Sequence, residues 1–213
     1  MNPGTSWTDP TLTVLSQALP SVESALRMDP PSEGRHEAAV SLVLRDGPVL
    51  EILLIERAQS ERDPWSGDIA LPGGRREPRD NHLLDTALRE TEEETGVTLS
   101  RTGLPLGYLS RINTRNPRLP ALAITPFIFG VGRETAAEVC SREVESVFWV
   151  PLSELLRPET QSTVTIEFQE GPREFPSIEV AGHTVWGLTY RILTDFSQIL
   201  STIRPAWSPL PPP

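Results

Sequence analysis

Cysteine is almost absent from this sequence, because Cys140 is the only one among 213 residues. One thiol cannot form an intramolecular disulfide, and it cannot build a cysteine-based zinc site. The three histidines have no spacing that suggests a metal set. We therefore expect a protein of a reducing compartment, the cytoplasm, and we look for its chemistry in other residue types.

The sequence also lacks long apolar runs and an excess of basic residues. No stretch reaches the length of a membrane span, and no basic segment followed by an apolar core begins the chain, so neither secretion nor a membrane partner is expected. A net charge of −10 and a pI near 4.8 argue against nucleic acid as a partner. An acidic protein can still bind phosphorylated molecules where a metal ion or local arginines reverse the field.

The length suits one domain with extensions. We expect an N-terminal extension with a packing helix at 1–33, a main domain at 34–203, and a proline-rich, disordered tail at 204–213. Within the extension, Pro20 divides the helical pattern over 11–27. Strand patterns predict an α/β fold, and they fall at 38–45, 49–57, 104–112, 121–131, 144–150, 164–168 and 174–180.

Carboxylates are densest in a helical stretch that follows the turn at 71–74 and stops at Gly96. Glu90, Glu93 and Glu94 stand at i, i+3 and i+4, so a helix projects them from one side. They repel one another near the negative end of the helix dipole, so a cation should offset them. Mg²⁺ and Mn²⁺ take oxygen ligands of this kind. The alternative reading is a solvated acidic helix, with Arg89 paired to its neighbours.

The complete string is more specific than the spacing. Gly74, followed by the segment 89–97 (Arg-Glu-Thr-Glu-Glu-Glu-Thr-Gly-Val), resembles the Nudix hydrolase signature, a Gly followed by Arg-Glu-(apolar)-X-Glu-Glu-X-Gly-(apolar). Thr91 replaces the aliphatic residue of that signature. A one-residue shift places Asp80 where the family has its upstream glutamate.

The resemblance implies a fold and a reaction. The fold is a Nudix-type α/β/α sandwich with a mixed β-sheet and a catalytic loop-helix-loop. The reaction is hydrolysis of a nucleoside diphosphate linked to another group, with Mg²⁺ or Mn²⁺ as cofactor. By the same resemblance Glu90, Glu93, Glu94 and the Gly74 carbonyl are the expected metal ligands. Glu90 or Glu93 is the default general base, and Arg89 orients the glutamates.

A second resemblance concerns the segment that precedes this signature. Leu53, Leu54, Arg57, Ala58, Arg62, Gly67 and Pro72-Gly73-Gly74 match the accessory motif of coenzyme A pyrophosphatases. Leu71 replaces the Phe of that motif, and the gap before Gly67 is one residue longer. The later string Trp-Gly-Leu-Thr at 186–189 is similar to the C-terminal element of the same branch. Arg57, Arg62, Gly73 and Arg75 are therefore the expected substrate-binding residues.

These resemblances predict a metal-dependent pyrophosphohydrolase that cleaves coenzyme A or acyl-CoA to 3′,5′-ADP and the corresponding phosphopantetheine. One alternative is hydrolysis of another nucleotide, such as ADP-ribose, an NTP or a dinucleoside polyphosphate. Others are a non-catalytic Nudix-fold ligand sensor and an acidic protein-interaction domain. By the same resemblance, Glu143 or Glu145 after the signature could assist water activation, and the alternative is that they are solvated acids at an exposed edge. The expected partner is a small nucleotide, and a homodimer is compatible with the sequence.

Overall fold

A computed structural model describes residues 7–27, 36–60, 66–114, 122–168 and 171–213 of the chain. The helices are α1 (Pro10–Ala18), α2 (Val22–Arg27), α3 (Leu83–Thr95), α4 (Leu99–Thr102), α5 (Leu152–Leu155) and α6 (Gly187–Ile203). The strands are β1 (His36–Arg45), β2 (Glu51–Arg57), β3 (Ile69–Ala70), β4 (Gly73–Arg75), β5 (Gly103–Tyr108), β6 (Ile112–Asn113), β7 (Leu122–Val131), β8 (Val144–Pro151), β9 (Gln161–Phe168), β10 (Gly171–Val180) and β11 (His183–Trp186).

The main sheet is mixed and has the order β3-β2-β1-β7-β5, with β4 paired to β1, β6 to β7 and β8 to β2. Strands β1 and β7 are parallel along their whole length, while the other pairs are antiparallel. Strands β1 and β2 form a hairpin, which the pairs Leu44↔Ile52 and Arg45↔Glu51 join. The first half of β1 pairs with β4 instead, which brings the glycine-rich turn into the sheet.

Two hydrophobic cores lie on opposite faces of this sheet. In β1, Leu42 and Leu44 belong to the core that contains residues of α1 and α6. Val43, between them, belongs to the core of α3. Successive side chains of a strand point to opposite faces, so the sheet lies between two helical layers. The predicted α/β/α sandwich with a mixed sheet is therefore confirmed.

The N-terminal helices are divided at Pro20, as predicted, and they belong to different cores. Leu15 of α1 packs into the core of α6, whereas Val22 of α2 packs into the core of α3. Both helices contact β5, the last strand of the main sheet, and the Ser24 and Tyr108 hydroxyls lie 3.3 Å apart. The connection between the helices therefore passes around the edge of β5.

The C-terminal part forms a second, antiparallel sheet, β11-β10-β9, which leads into α6. The tail after α6 was expected to be disordered, and this expectation is wrong. Leu210 is buried, and its N–H donates to the Ser197 hydroxyl at 2.9 Å. The Tyr190 hydroxyl donates to the Pro211 carbonyl at 3.0 Å. Burial of Leu210 and these bonds offset the entropy of ordering a short segment whose prolines are already restricted.

The helix of the signature, α3, ends at the predicted residue. Gly96 has a φ of 70°, the left-handed conformation that glycine adopts without a steric cost, and its N–H donates to the Glu92 carbonyl. Thr91, which replaces an aliphatic residue, is fully buried, with its hydroxyl 2.7 Å from the Ala87 carbonyl and 2.8 Å from the Ser41 hydroxyl. Because its polar atom is satisfied, Thr91 fits the core. Within the described residues, no helix is long and apolar enough to cross a membrane.

Candidate active site

A cleft of about 420 Å³ opens between the turn before α3 on one side and β11 and α6 on the other. Its charged lining comprises Arg57, Asp68, Arg75, Glu77, Glu90, Glu94 and Glu143. Its apolar lining includes Ile69, Leu71, Ile124, Trp186, Leu188 and Ile192. Glu90, Glu94, Arg57 and Glu143 act on one another electrostatically, and we call this group the charged end of the cleft. The apolar side chains, which we call the apolar wall, come from β3, β7, β11, α6 and the turn at Leu71.

Glu94 lies at the charged end and is almost fully buried, with 4% of its surface exposed. Its Oε2 accepts the Gly73 N–H at 2.8 Å. Burial raises the pKa of Glu94 to about 8, and the nearby Glu90 and Glu143 add to the shift, while the Gly73 bond and Arg57 oppose it. In the absence of a cation, Glu94 therefore keeps its proton at neutral pH.

Glu90 lies one helical turn before Glu94 and also faces the cleft. Its Oε1 accepts a bond from Arg89 Nη1 at 2.7 Å, but burial has the larger effect and raises the pKa of Glu90. The backbone of Gly74 lies against the Glu90 carboxylate, so that a Cβ at this position would overlap with it. Glycine at position 74 thus permits the close approach of the turn to the helix.

Arg89 is held in place by a buried carboxylate before the helix. Its Nε and Nη2 donate to Asp80 at 3.1 and 2.9 Å, and its Nη2 also donates to the Arg75 carbonyl. Asp80 additionally accepts bonds from the Thr86 hydroxyl and the Glu77 N–H. Burial by itself would raise the pKa of Asp80, but these bonds, led by Arg89, outweigh burial and lower the pKa to about 2. The Asp80 bond in turn raises the pKa of Arg89.

Glu93 takes a different position from the other two glutamates. It is about half exposed and pairs with Arg79 Nη2 at 2.9 Å and Arg89 Nη1 at 3.2 Å, at the rim rather than in the lining of the cleft. In the part of the chain that the structure describes, no three His, Cys, Asp or Glu side chains are arranged to hold a metal ion. Glu93 therefore pairs with two arginines, whereas Glu90 and Glu94 line the cleft.

The remaining donors still fit a hard divalent cation. Glu90 and Glu94 are carboxylates with raised pKa values at one end of a cleft, and the Gly74 backbone lies beside them. Mg²⁺ is usually bound by one or two carboxylates and completes its shell with substrate phosphates and water. A cation beside these carboxylates would also offset the burial, and the smaller repulsion from neighbouring acids, that raise their pKa values.

The predicted substrate-binding residues are placed as follows. Arg57, Gly73 and Arg75 line the cleft, and Arg62 lies outside the described residues. Glu143 lines the cleft, whereas Glu145 is absent from the lining that the described residues form.

Among the acidic and aromatic residues of the lining, sequence reasoning missed Glu77, Asp68 and Trp186. The Trp-Gly-Leu-Thr string carried a signal for Trp186. Asp68 lies beside matched positions of the accessory motif, and Glu77 lies in the variable segment of the signature. In neither place does a sequence pattern distinguish a cleft residue from a solvated acid.

Comparison with known proteins identifies the family. A family model of the NUDIX domain matches residues 35–167. The chain therefore belongs to the Nudix hydrolase family, an enzyme family that generally uses divalent metal ions and acts on small nucleotide-derived substrates.

Three relatives illustrate the range of similarity. The chain is 32% identical over 171 residues to the peroxisomal coenzyme A diphosphatase ndx-8 of Caenorhabditis elegans, with 76% of this chain and 65% of that protein covered. It is 29% identical over 177 residues to the uncharacterized Nudix hydrolase NudL of Photorhabdus laumondii, covering 81% and 91%. An uncharacterized Schizosaccharomyces pombe protein is 38% identical over 119 residues, and this chain spans only 36% of its length.

Solved structures resemble the chain more distantly. A MutT/nudix family protein from Enterococcus faecalis has a TM-score of 0.48 and 21% identity, covering 87% of this chain and 69% of that one. The NUDIX domain of Shewanella oneidensis NrtR, solved with ADP-ribose, has the same TM-score and identity and covers 64% and 86%.

Proposed function

We propose that this Nudix hydrolase is a Mg²⁺- or Mn²⁺-dependent pyrophosphohydrolase that cleaves the diphosphate of coenzyme A or acyl-CoA. Its products are 3′,5′-ADP and phosphopantetheine or acyl-phosphopantetheine. The observation that carries the proposal is the cleft, whose lining combines Glu90, Glu94 and Arg57 with an apolar wall. A diphosphate suits the charged end, and a pantetheine or acyl chain suits the apolar wall.

The similarity to the C. elegans coenzyme A diphosphatase gives further support. Trp186 and Leu188, from the Trp-Gly-Leu-Thr string, belong to the apolar wall. Leu71, the residue that departs from the accessory motif, also lines the cleft.

In the proposed mechanism Glu90 and Glu94 hold the divalent ion, with the Gly74 carbonyl as a further ligand. The bound ion would neutralise diphosphate oxygens and lower the pKa of the attacking water. Arg57 and Arg75 line the same end of the cleft, where guanidinium groups can form paired bonds to phosphate oxygens.

The base that takes the proton from water is proposed to be Glu90 or Glu93. Glu90 faces the cleft, and Glu93 lies at its rim next to Arg89. Arg89 bonds to both carboxylates and is fixed by Asp80, so it can keep either glutamate oriented during proton transfer. Glu143, which also lines the cleft, is proposed to assist the activation of the water.

The test is a substrate panel with product identification. Purified protein is incubated with Mg²⁺ or Mn²⁺ and coenzyme A, acetyl-CoA, ADP-ribose, a dinucleoside polyphosphate or an NTP, and products are separated by chromatography. The proposal expects 3′,5′-ADP from the coenzyme A substrates. It is wrong if coenzyme A yields no 3′,5′-ADP while another nucleotide is turned over rapidly.

A second candidate is a pyrophosphatase of the same family that acts on another nucleotide. The departures from the accessory motif at Leu71 and before Gly67 favour it. The same panel distinguishes the two functions.

A non-catalytic sensor would bind a nucleotide without hydrolysing it, and Glu93→Gln would then change nothing in the product assay.

We also propose the cytosol as the site of action and keep a homodimer as the proposed assembly. The single cysteine suits a reducing compartment, although the C. elegans relative is named as peroxisomal. Cell fractionation tests the location, and analytical ultracentrifugation tests the assembly. A sedimentation coefficient of the monomer at all concentrations would exclude the dimer.

A further inference from the structure

Two lining residues from distant parts of the sequence are joined by a hydrogen bond. The indole Nε1 of Trp186 donates to Asp68 Oδ1 at 2.9 Å, although the residues are 118 positions apart. Asp68 lies directly before β3, and Trp186 is the last residue of β11. Because both side chains line the cleft, the bond connects its two walls.

Other contacts restrict the Trp186 ring from the opposite direction. Its centroid lies 5.6 Å from the ring of Phe175 with an interplanar angle of 52°, an ordinary tilted aromatic contact. Its backbone pairs with Ser177 of β10, and it is the residue that precedes α6. Backbone pairing and the contact with Phe175 thus hold the residue, and Asp68 holds the N–H edge of its indole.

The bond to Asp68 is of a strong kind. A carboxylate acceptor strengthens a hydrogen bond compared with a neutral one, and partial burial reduces competition from water. A tryptophan that lines a cleft can otherwise rotate about two side-chain torsions, and ordering it on binding would reduce affinity. A carboxylate that orders the ring in advance removes this cost.

We infer that Asp68 is a positioning residue that fixes the Trp186 indole as a rigid wall for the group attached to the substrate diphosphate. Trp186, Leu188 and Ile192 form an apolar wall at this end, so the group that fits is an uncharged, largely apolar chain. The inference rests on the proposed function for the identity of the substrate. The bond between Asp68 and Trp186 is independent of the proposed function.

The first test uses the indole N–H resonances, which are measured without substrate. Trp186→Phe keeps an aromatic ring, removes the donor and identifies the Trp186 resonance. Asp68→Leu should move this resonance to the position of a weaker hydrogen bond and speed its exchange with water, whereas Asp68→Asn, which keeps an acceptor, should have a smaller effect. An unchanged resonance in Asp68→Leu would overturn the inference, and thermal melting shows whether each variant is folded.

The second test uses steady-state kinetics with whichever nucleotide of the panel is cleaved fastest. Asp68→Leu and Trp186→Phe should each raise KM about tenfold, with a much smaller change in kcat. The double variant should be no worse than either single variant, and Asp68→Asn should restore most of the affinity.

Two results would contradict the positioning role. If Asp68→Leu raises KM while Trp186→Phe does not, Asp68 acts on the substrate directly. If kcat falls as strongly as kcat/KM, Asp68 belongs to the reacting centre instead. Failure of the proposed function is a separate outcome, because coenzyme A would not be cleaved while the indole resonance still reports on the bond.

Discussion

Asp80 and Glu94 are two carboxylates with little exposed surface and opposite pKa shifts. Their exposed fractions are 6% and 4%, yet the pKa of Asp80 is lowered to about 2 and that of Glu94 is raised to about 8. Asp80 accepts paired bonds from Arg89. Glu94 accepts only a backbone bond among those the structure describes, and it faces the other glutamates.

The difference shows that burial alone does not assign a role to an acid in this site. Asp80 has its positive partner within the protein, so its charge stabilises the folded chain and orients Arg89. Burial disfavours the charged form of Glu94, and its bonds within the protein offset little of this effect. The charged form therefore needs a positive partner from outside the protein. We therefore interpret Asp80 as a structural support and Glu94 as a metal ligand, and three experiments can break this distinction.

The largest effect is expected for Glu94→Gln. The amide keeps the shape and can still accept the Gly73 N–H, but it cannot supply a negative ligand. We expect kcat to fall by about 10²- to 10³-fold, since the bound ion contributes several kcal/mol of transition-state stabilisation. The free energy of unfolding without metal should stay equal or increase, because a poorly compensated acid has been removed.

Glu92→Gln is the matched control for this experiment. Glu92 is an exposed glutamate on the same helix, and its Oε1 accepts a bond from the Thr98 hydroxyl outside the cleft lining. Its activity should stay within about twofold of the parent. Equal activity in Glu94→Gln and the parent would exclude Glu94 as a required ligand.

A loss of stability is expected for Asp80→Asn. The change leaves the buried guanidinium of Arg89 without its main negative partner, and breaking such a pair costs about 3 kcal/mol of unfolding free energy. Urea unfolding measures this loss. Activity should also decrease, because Arg89 would no longer be held beside Glu90 and Glu93.

Removal of a buried, uncharged hydrogen bond gives a reference for the loss of unfolding free energy in Asp80→Asn. Thr91→Val removes the hydroxyl that contacts Ser41 and Ala87 while keeping the shape, and it should cost only about 1 kcal/mol. If Asp80→Asn costs no more than Thr91→Val, the Asp80 charge is not the support that we describe.

The third experiment compares the two acids through the pH dependence of unfolding. The folded pKa of Asp80, about 2, lies below its usual value of 3.8, so its contribution is complete above pH 3.8 and is lost as the pH falls toward 2. The loss should amount to about 2 kcal/mol. Asp80→Asn should abolish this part of the acid unfolding profile.

Glu94 should act in the opposite direction. Its folded pKa, about 8, lies above the usual 4.5, so the metal-free protein should lose stability as the pH rises from 4.5 through 8. Mg²⁺ should stabilise the protein increasingly over the same range, because it binds the deprotonated acid. Melting curves in EDTA and in Mg²⁺ measure both effects, and a flat EDTA profile from pH 5 to 8 would contradict the raised pKa.

Much of the fold could be predicted because its signals are local. Pro20 divides the first helix, and Gly96 ends α3, since each acts through its own backbone. The parallel pairing of β1 with β7 and the short pairing of β1 with β2 could not be predicted, because they depend on which distant strand competes for the same edge. Packing of Leu210 against α6 is equally non-local and overturned the expected disorder.

The site shows the same division. Helical spacing placed Glu90, Glu93 and Glu94 on one side of α3, and resemblance to the family added Arg89 and Gly74. Spacing could not show that Arg79, from the preceding loop, would hold Glu93 at the rim. Nor could it show that Asp68 would meet Trp186, because that contact exists only after the second sheet has packed onto the first.

The two N-terminal helices also cover one edge of the main sheet. Strand β5 has β7 on one side, and the link between α1 and α2 passes around its other side. An open strand edge offers unpaired amides and carbonyls to any neighbouring chain. A shortened chain that begins at His36 would leave this strand edge uncovered. We expect it to aggregate through the edge of β5 before the catalytic residues lose their arrangement.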